Sequence, residues 1–287
     1  MLKERLPWWV KMIAKAFLAR LPLSGVLKQK LDIFRHGQMD DPAYAARIFA
    51  HHLARFQKPL TPWACLELGP GDSLFTALLA KAAGAEKIWL VDAGDFAATS
   101  VDSFKTLARQ LTAEGQPVPD LSACQTRAEV LTACNAVYLT NGLVGLKTIP
   151  DATVDFIFSN AVLEHVRKAD MPETLAELAR IMKPSGLQSH TVDLRDHLQN
   201  GLNNLRFSDK LWESGLFAHS GFYTNRIRFS GFFDLFKRTG FHATELARTS
   251  WDDLPTPRDV LHPAFQTLHA DDLKISTFDV KLERENA

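Results

Sequence analysis

Apolar positions along the chain recur with two different periods, and the switch between them marks the elements. In the first 58 residues the spacing is helical: Trp8, Trp9, Met12, Ile13, Ala16 and Phe17 fall at three- and four-residue steps, with Lys11 and Lys15 between them. A second helix is predicted over 42–56, with Asp41 as N-cap and Pro42 at its first position, where a missing N–H costs nothing. The pattern changes at residues 59–62, which carry two prolines. Short apolar runs then alternate with amphipathic ones. The predicted order is strand 64–68, helix 72–83, strand 87–91 and helix 96–114, a loop containing Pro117 and Pro119, helix 120–133 and strand 136–140. Strand 154–159, helix 172–182 and strand 186–192 follow.

Strands this short and this apolar, separated by helices, are the signature of a parallel sheet covered on both faces. After Asp193 the alternation lapses for about thirty residues, a length usually reserved for function inside a compact chain. Helix 228–239 then stops at Gly240, and strands 241–248 and 273–283 end the pattern. The predicted fold is therefore α/β: a Rossmann-like, doubly wound sheet of about seven strands, mostly parallel with the last strand antiparallel. Residues 1–58 form an N-terminal helical cap, 59–287 the main domain, and 193–227 an insertion after strand five that recognises the substrate. No internal repeat or low-complexity segment is present.

Composition adds limits. The 287 residues carry 33 Lys+Arg and 33 Asp+Glu, so no global field points to nucleic acid or an acidic polymer. Cys65, Cys124 and Cys134 lack CxxC spacing and an even count, which argues against a disulfide framework or a zinc ribbon and fits a reducing cytoplasm. The opening stretch has the charge-then-apolar order of a secretory leader, but Lys11 and Lys15 interrupt it. Residues 1–35 carry eight Lys/Arg against two acids, so the first helix reads either as a packed lid or as a peripheral membrane contact.

The candidate chemistry starts at Glu67-Leu68-Gly69-Pro70-Gly71-Asp72-Ser73, a glycine turn between an apolar strand and a helix. Glycines let the backbone turn tightly and let a ligand press on main-chain amides. Glu67, at the strand's carboxyl end, can accept from an ammonium or a hydroxyl, and Asp92 ends the next strand where a carboxylate suits two ribose hydroxyls. These segments, with Val91-Asp92-Ala93, the stretch from Asp155 through Ser159-Asn160-Ala161-Val162-Leu163-Glu164-His165-Val166, and the run from Leu178 to Lys183-Pro184-Ser185-Gly186, resemble the class I S-adenosylmethionine-dependent methyltransferases, in particular their small-molecule, type 11-like branch. The similarity covers roughly residues 60–195.

The resemblance implies S-adenosylmethionine as cofactor. It assigns Glu67, Gly69, Pro70, Gly71, Asp72 and Ser73 to the methionine end, and Asp92 with Ala93 to the ribose. Asn141, Gly142 and Leu143 fall to the adenine, and Ser159, Asn160 and Ala161 lie beneath the sulfonium. Ser73 stands where many members have a third glycine, and no acid follows strand three. A nicotinamide oxidoreductase would want GxGxxG, and position 74 is leucine.

For the reaction, an oxygen acceptor benefits from a base, and histidine is the usual choice near neutral pH. His165 follows strand four, while Asp193 and His197 lie just beyond strand five and are read as a pair; these three are the catalytic candidates. His190, Tyr223, Asn225 and Arg226 are the substrate-binding candidates, beside Trp212, Phe217, His219 and Phe222, whose aromatic faces and polar tips suit a sugar or another polyhydroxylated molecule. Some family members hold a divalent ion with Glu-x-x-Glu-His; Ala161 replaces the first glutamate here, so no metal is expected. The motifs that accompany methylation of a nucleic-acid base, Asn/Asp-Pro-Pro-aromatic or Pro-Cys, are absent after strand four. Two readings of different class remain: methyl transfer to a hydroxyl of a glycan or other small molecule, or a non-catalytic binding or scaffold protein that retains the fold.

Overall fold

The computed structural model describes residues 7–18, 41–57 and 62–285. Lys3, Arg5 and Arg20, which contribute to the basic N-terminal charge, and the predicted domain boundary near residue 58 lie outside the described residues. Helices α1 (Trp8–Leu18) and α2 (Pro42–Leu53) precede β1 (Trp63–Leu68), α3 (Phe75–Ala82), β2 (Ala85–Val91), α4 (Val101–Ala113), α5 (Arg127–Ala133) and β3 (Ala136–Leu139). Then come β4 (Val154–Asn160), α6 (Met171–Ile181), β5 (Met182–Asp193), α7 (Phe229–Arg238), β6 (Phe241–Ser250) and β7 (Ile275–Arg284).

The strands form one seven-stranded sheet in the order β3-β2-β1-β4-β5-β7-β6. β1 to β5 pair in parallel, and β7 inserts antiparallel between β5 and β6. Successive residues of a strand point to opposite faces, and here both faces are covered. Cys65, Phe156 and Phe158 pack with α2, α3, α4 and α5 on one side, while Leu66 and Ile157 pack with α6 and α7 on the other. That double cover is why the strands read as continuous apolar runs.

Helix starts depart from the periodicity where side-chain caps decide them. Asp41 caps α2 by accepting from Ala43 N–H, as expected. The helix predicted over 96–114 begins only at Val101, because Ser100, itself extended, accepts from Ser103 N–H and caps the helix there. The one predicted over 120–133 begins at Arg127 through a capping box of Thr126 and Glu129. The helix predicted from 72 starts at Phe75, and residues 69–74 form the turn instead.

Helix α2 docks on the sheet through mixed contacts. Phe49 meets Phe158 edge-on at 5.8 Å, and Phe56, just beyond the helix, stacks on Phe156 at 4.9 Å. Arg55 donates to Ser189 Oγ at 2.9 Å and pairs with Asp279 of β7, while His52 Nδ1 meets the same Ser189 hydroxyl at 2.8 Å. Burial and the nearby Arg55 push the His52 pKa down to about 3, so its imidazole is neutral.

The stretch after β5 folds into its own small core. Trp212, Phe217, Phe222 and Tyr223 are buried together with Leu198, and Trp8 and Met12 of α1 pack against them. Arg206 lies over the Trp8 ring at 5.1 Å, whereas Trp9 and Ile13 face outward. Among the described residues no helix is long and apolar enough to cross a membrane.

A buried guanidinium ties this insertion to the sheet. Arg228 donates to the carbonyls of Leu194, Asp272, Leu273 and Ile275 at 2.5–3.2 Å, so one side chain closes backbone ends from three segments. Arg228→Met should leave these acceptors unpaired, at about 1–3 kcal/mol each. The expected outcome is a loss of at least about 3 kcal/mol in urea unfolding; an unchanged midpoint would show that water replaces the guanidinium without cost.

Candidate active site

Ligands of open α/β sheets bind at the carboxyl ends of the strands. There the chain leaves β1 through Gly69 and Gly71, with φ of +72° and +65°. A Cβ on Gly69 would lie 2.4 Å from Val162 Cγ2, so the residue must be glycine on grounds of conformation and space. The turn is tied to β2 rather than to its own helix. Gly69 N–H donates to Val91 O at 2.7 Å, and Gly71 N–H donates to Asp92 Oδ2 at 2.8 Å. Asp92 Oδ1 accepts from Ala93 N–H at 2.7 Å, which turns the carboxylate toward the loop. Pro70, Asp72 and Ser73 are buried in the same turn.

Glu67 sits at the end of β1 with only 3% of its surface exposed. Burial, with the Asp92 charge adding to it, pushes its pKa up to about 8 against a hydrogen bond from Thr76 that lowers it. Oε2 has no hydrogen-bond partner among the described residues. A buried acceptor of this kind fits an ammonium donor, and the methionine end of S-adenosylmethionine carries one. Gly142 N–H donates to Asp92 O at 2.8 Å, so the turn of Asn141, Gly142 and Leu143 is pinned beside Asp92. Asn160 ends β4 and Ala161 follows it on the same edge, while Ser159 is buried one residue earlier.

The acceptor end is built differently from the expectation. Ala161 takes a left-handed φ of +55°, turning the chain sharply out of β4, and a 3₁₀ turn, Leu163–His165, follows. Asn225 holds that turn. Its Nδ2 donates to Leu163 O and Val166 O at 2.8 and 3.0 Å, and its amide donates to Glu164 O at 2.7 Å. Tyr223 O accepts from His165 Nδ1 at 2.9 Å, while its hydroxyl accepts from Lys168 N–H and donates to Glu213. Arg226 donates to Asn204 O and Phe207 O, pairs with Asp209, and has Trp212 and Phe265 against its guanidinium.

Tyr223, Asn225 and Arg226, expected to touch substrate, are therefore internal groups that set the His165 loop and the insertion. His190 is corrected for the same reason: it is fully buried, bonded to Ser159 Oγ at 2.8 Å and Gln188 Oε1 at 3.0 Å, and burial lowers its pKa to about 3. The Ser159 side chain is thereby turned into the sheet.

The expected pairing of Asp193 with His197 is also corrected. Asp193 accepts from Arg195 Nε and Nη2 at 2.9 and 2.6 Å, a fork-to-fork pair. His197 instead meets His165, with ring centroids 4.7 Å apart and nearly perpendicular. It is carried there by Asp196, whose buried carboxylate accepts from the amides of Leu198, Gln199 and Asn203 and folds residues 196–203 into a tight turn. A cavity of about 440 Å³ opens beside it, lined by His197, Gln199, Asn200, Asn203, Pro255 and Lys11 of α1. Asp196 escaped the sequence reading because an acid in a polar loop has no periodicity to betray it.

A family model of the methyltransferase domain matches residues 40–246, and the chain belongs to this family. Its cofactor is S-adenosylmethionine, and its activity is S-adenosylmethionine-dependent methyl transfer. No curated protein matches the sequence. Among solved structures, phosphoethanolamine N-methyltransferase 2 of Haemonchus contortus is 14% identical with a TM-score of 0.50, over 95% of this chain and 60% of that one. An S-adenosylmethionine-dependent methyltransferase from Archaeoglobus fulgidus is 14% identical with a TM-score of 0.48, over 90% and 98% of the two chains. The 1,6-didemethyltoxoflavin-N1-methyltransferase of Burkholderia thailandensis is 12% identical with a TM-score of 0.45, over 97% and 89%.

Two outcomes test the cofactor end. The raised pKa of Glu67 means that the unfolded chain ionises this carboxyl from about pH 4.5 while the folded chain holds its proton to about pH 8. Its contribution to stability therefore falls as pH rises through that window. Glu67→Gln should melt as high as the parent or higher at pH 8 without cofactor, and bind S-adenosylmethionine at least tenfold more weakly, as loss of a charged hydrogen bond of about 1.5–3 kcal/mol requires. A lower melting point with unchanged affinity would place the ammonium elsewhere. Asp92→Asn should weaken the cofactor by about 1.5–3 kcal/mol in calorimetry, and equal affinity would mean that the ribose is not held there.

Proposed function

We propose that this methyltransferase acts on a hydroxyl oxygen of a small polar acceptor, a sugar or glycan unit or another polyhydroxylated molecule. The observation that carries the reading is the position of His197: it touches His165 beyond the end of β4 and also lines the polar cavity. The cavity falls in the size range of small-ligand sites, and its Asn and Gln side chains match an acceptor rich in hydroxyls. Helix α1 serves as its lid, since Lys11 is part of the wall and Trp8 is packed on the insertion.

Bound S-adenosylmethionine supplies a methyl group on a sulfonium, which an acceptor oxygen takes by in-line displacement, the electron pair staying on sulfur. The chain's part is to hold the two reactants in line and keep water out. Glu67, Gly69, Gly71 and Asp92 fix the donor; the Asp196 turn and α1 enclose the acceptor. The hydroxyl must shed its proton as the new bond forms, and His165 and His197 are the groups available on that edge. Asn225 and Tyr223 act through the His165 turn as positioning residues.

His165→Ala and His197→Ala should each lower turnover about 10²–10⁴-fold, the usual cost of losing proton-transfer help, while the dissociation constant for S-adenosylmethionine stays within twofold. Turnover would be followed with labelled cofactor against a panel of sugars, lipid-linked glycans and other hydroxylated metabolites. Normal turnover in both variants, or methylation confined to amines, would overturn the proposal.

A further inference from the structure

The cluster around His165 contains more than a base needs. Glu164, His165 and His197 each offer a ligand atom, and these atoms lie within 4.8 Å of one another. Glu164 is 1% exposed; Oε1 accepts from Asp193 N–H at 3.2 Å, and Oε2 has no hydrogen-bond partner among the described residues. An unpaired carboxylate oxygen at that depth is costly, and a cation is the group that most fully repays it.

The histidines are arranged to match. His165 Nδ1 must carry a proton, because its partner Tyr223 O can only accept. In the neutral ring Nε2 then holds the lone pair, which is the arrangement found when a ligating histidine is oriented by a backbone carbonyl. His197 is carried to the cluster on the turn fixed by Asp196, and its ring stands at 88° to that of His165. Ion–ligand distances of about 2.0–2.2 Å require the three atoms to draw closer together when the ion binds.

We propose that Glu164, His165 and His197 bind one divalent first-row transition ion, with the remaining positions open toward the cavity. This departs from the expectation of no metal, which looked for a second glutamate in the local motif; the third ligand comes from beyond β5. Two imidazoles and one carboxylate suit ions of the zinc class better than magnesium or calcium, which prefer oxygen throughout. The inference rests on the hydroxyl reading and changes the part the two histidines play in it: with an ion bound they hold the ion and do not take the proton. An acceptor hydroxyl bound at an open position becomes more acidic and loses its proton to solvent, while the ion fixes the oxygen for attack.

The test uses the full chain, stripped with a chelator and titrated with Co²⁺ while the visible ligand-field absorption is followed. One equivalent should bind and give the spectrum of a nitrogen- and oxygen-ligated ion. His197→Ala, at a half-buried position, should weaken binding at least 100-fold, and His165→Ala likewise, with far-ultraviolet circular dichroism unchanged. Binding of S-adenosylhomocysteine to the same samples separates the two ideas. If it binds and Co²⁺ does not, or if both variants bind Co²⁺ as well as the parent, the ion site is refuted and the methyltransferase reading stands. If Co²⁺ binds at this cluster with no affinity for S-adenosylhomocysteine, the ion site stands and the cofactor reading falls.

Discussion

The hydrogen bond from Gly71 N–H to the Asp92 carboxylate is the point on which the site depends. It joins the turn after β1 to the end of β2, two strands that are already neighbours in register, with Leu68 opposite Val91. Two glycines in the left-handed region make the turn possible, and Val162 fills the space where a Gly69 side chain would stand. Val162 itself belongs to the segment that leads to Glu164 and His165. One packing contact therefore sets the spacing between the donor end and the acceptor end. A sheet covered on both faces supplies the rigidity that such spacing needs.

Polar groups buried at the sheet's edge divide into two kinds. His190 and Asn225 have partners for their buried polar atoms, and Arg226 and Arg228 place their Nη groups on loop carbonyls that would otherwise be unpaired. Glu67 and Glu164 are buried carboxyls that each keep one oxygen without a hydrogen-bond partner among the described residues. Both are held above the usual carboxylate range by burial. They lie at the carboxyl ends of β1 and β4, adjacent strands of the parallel sheet. The two carboxyls therefore stand on one edge of the sheet, Glu67 next to the glycine turn and Glu164 next to His165 and His197.

How much of this could be read from the chain follows from what is local. The strands around Leu66, Leu90 and Ile157 are visible because burial on both faces leaves them apolar throughout, and the glycine turn with Asp92 is visible because its pieces sit at fixed places on consecutive strands. Helix starts were misread at 96 and 120 because Ser100 and Thr126 capture amides that periodicity alone leaves in the helix. Asp193 and His197 looked like a pair because they are close in sequence, yet Arg195 is closer and offers a matching fork. Tyr223, Asn225 and Arg226 looked like a sugar platform, since composition does not reveal which loop carbonyls need donors. The meeting of Glu164 with His197 depends on the Asp196 turn, a feature of tertiary folding without a local pattern.

The central claim, that Glu67 and the turn beside Asp92 receive S-adenosylmethionine, is most directly tested by calorimetry of the full chain at pH 7 in two buffers of different ionisation enthalpy. A Glu67 pKa of about 8 means that the free protein holds this proton at pH 7. An ammonium bound beside the carboxyl favours its ionised form and expels the proton. The account predicts one cofactor per chain with close to one proton released. Absence of binding at millimolar cofactor, or binding with the same heat in both buffers, would contradict it.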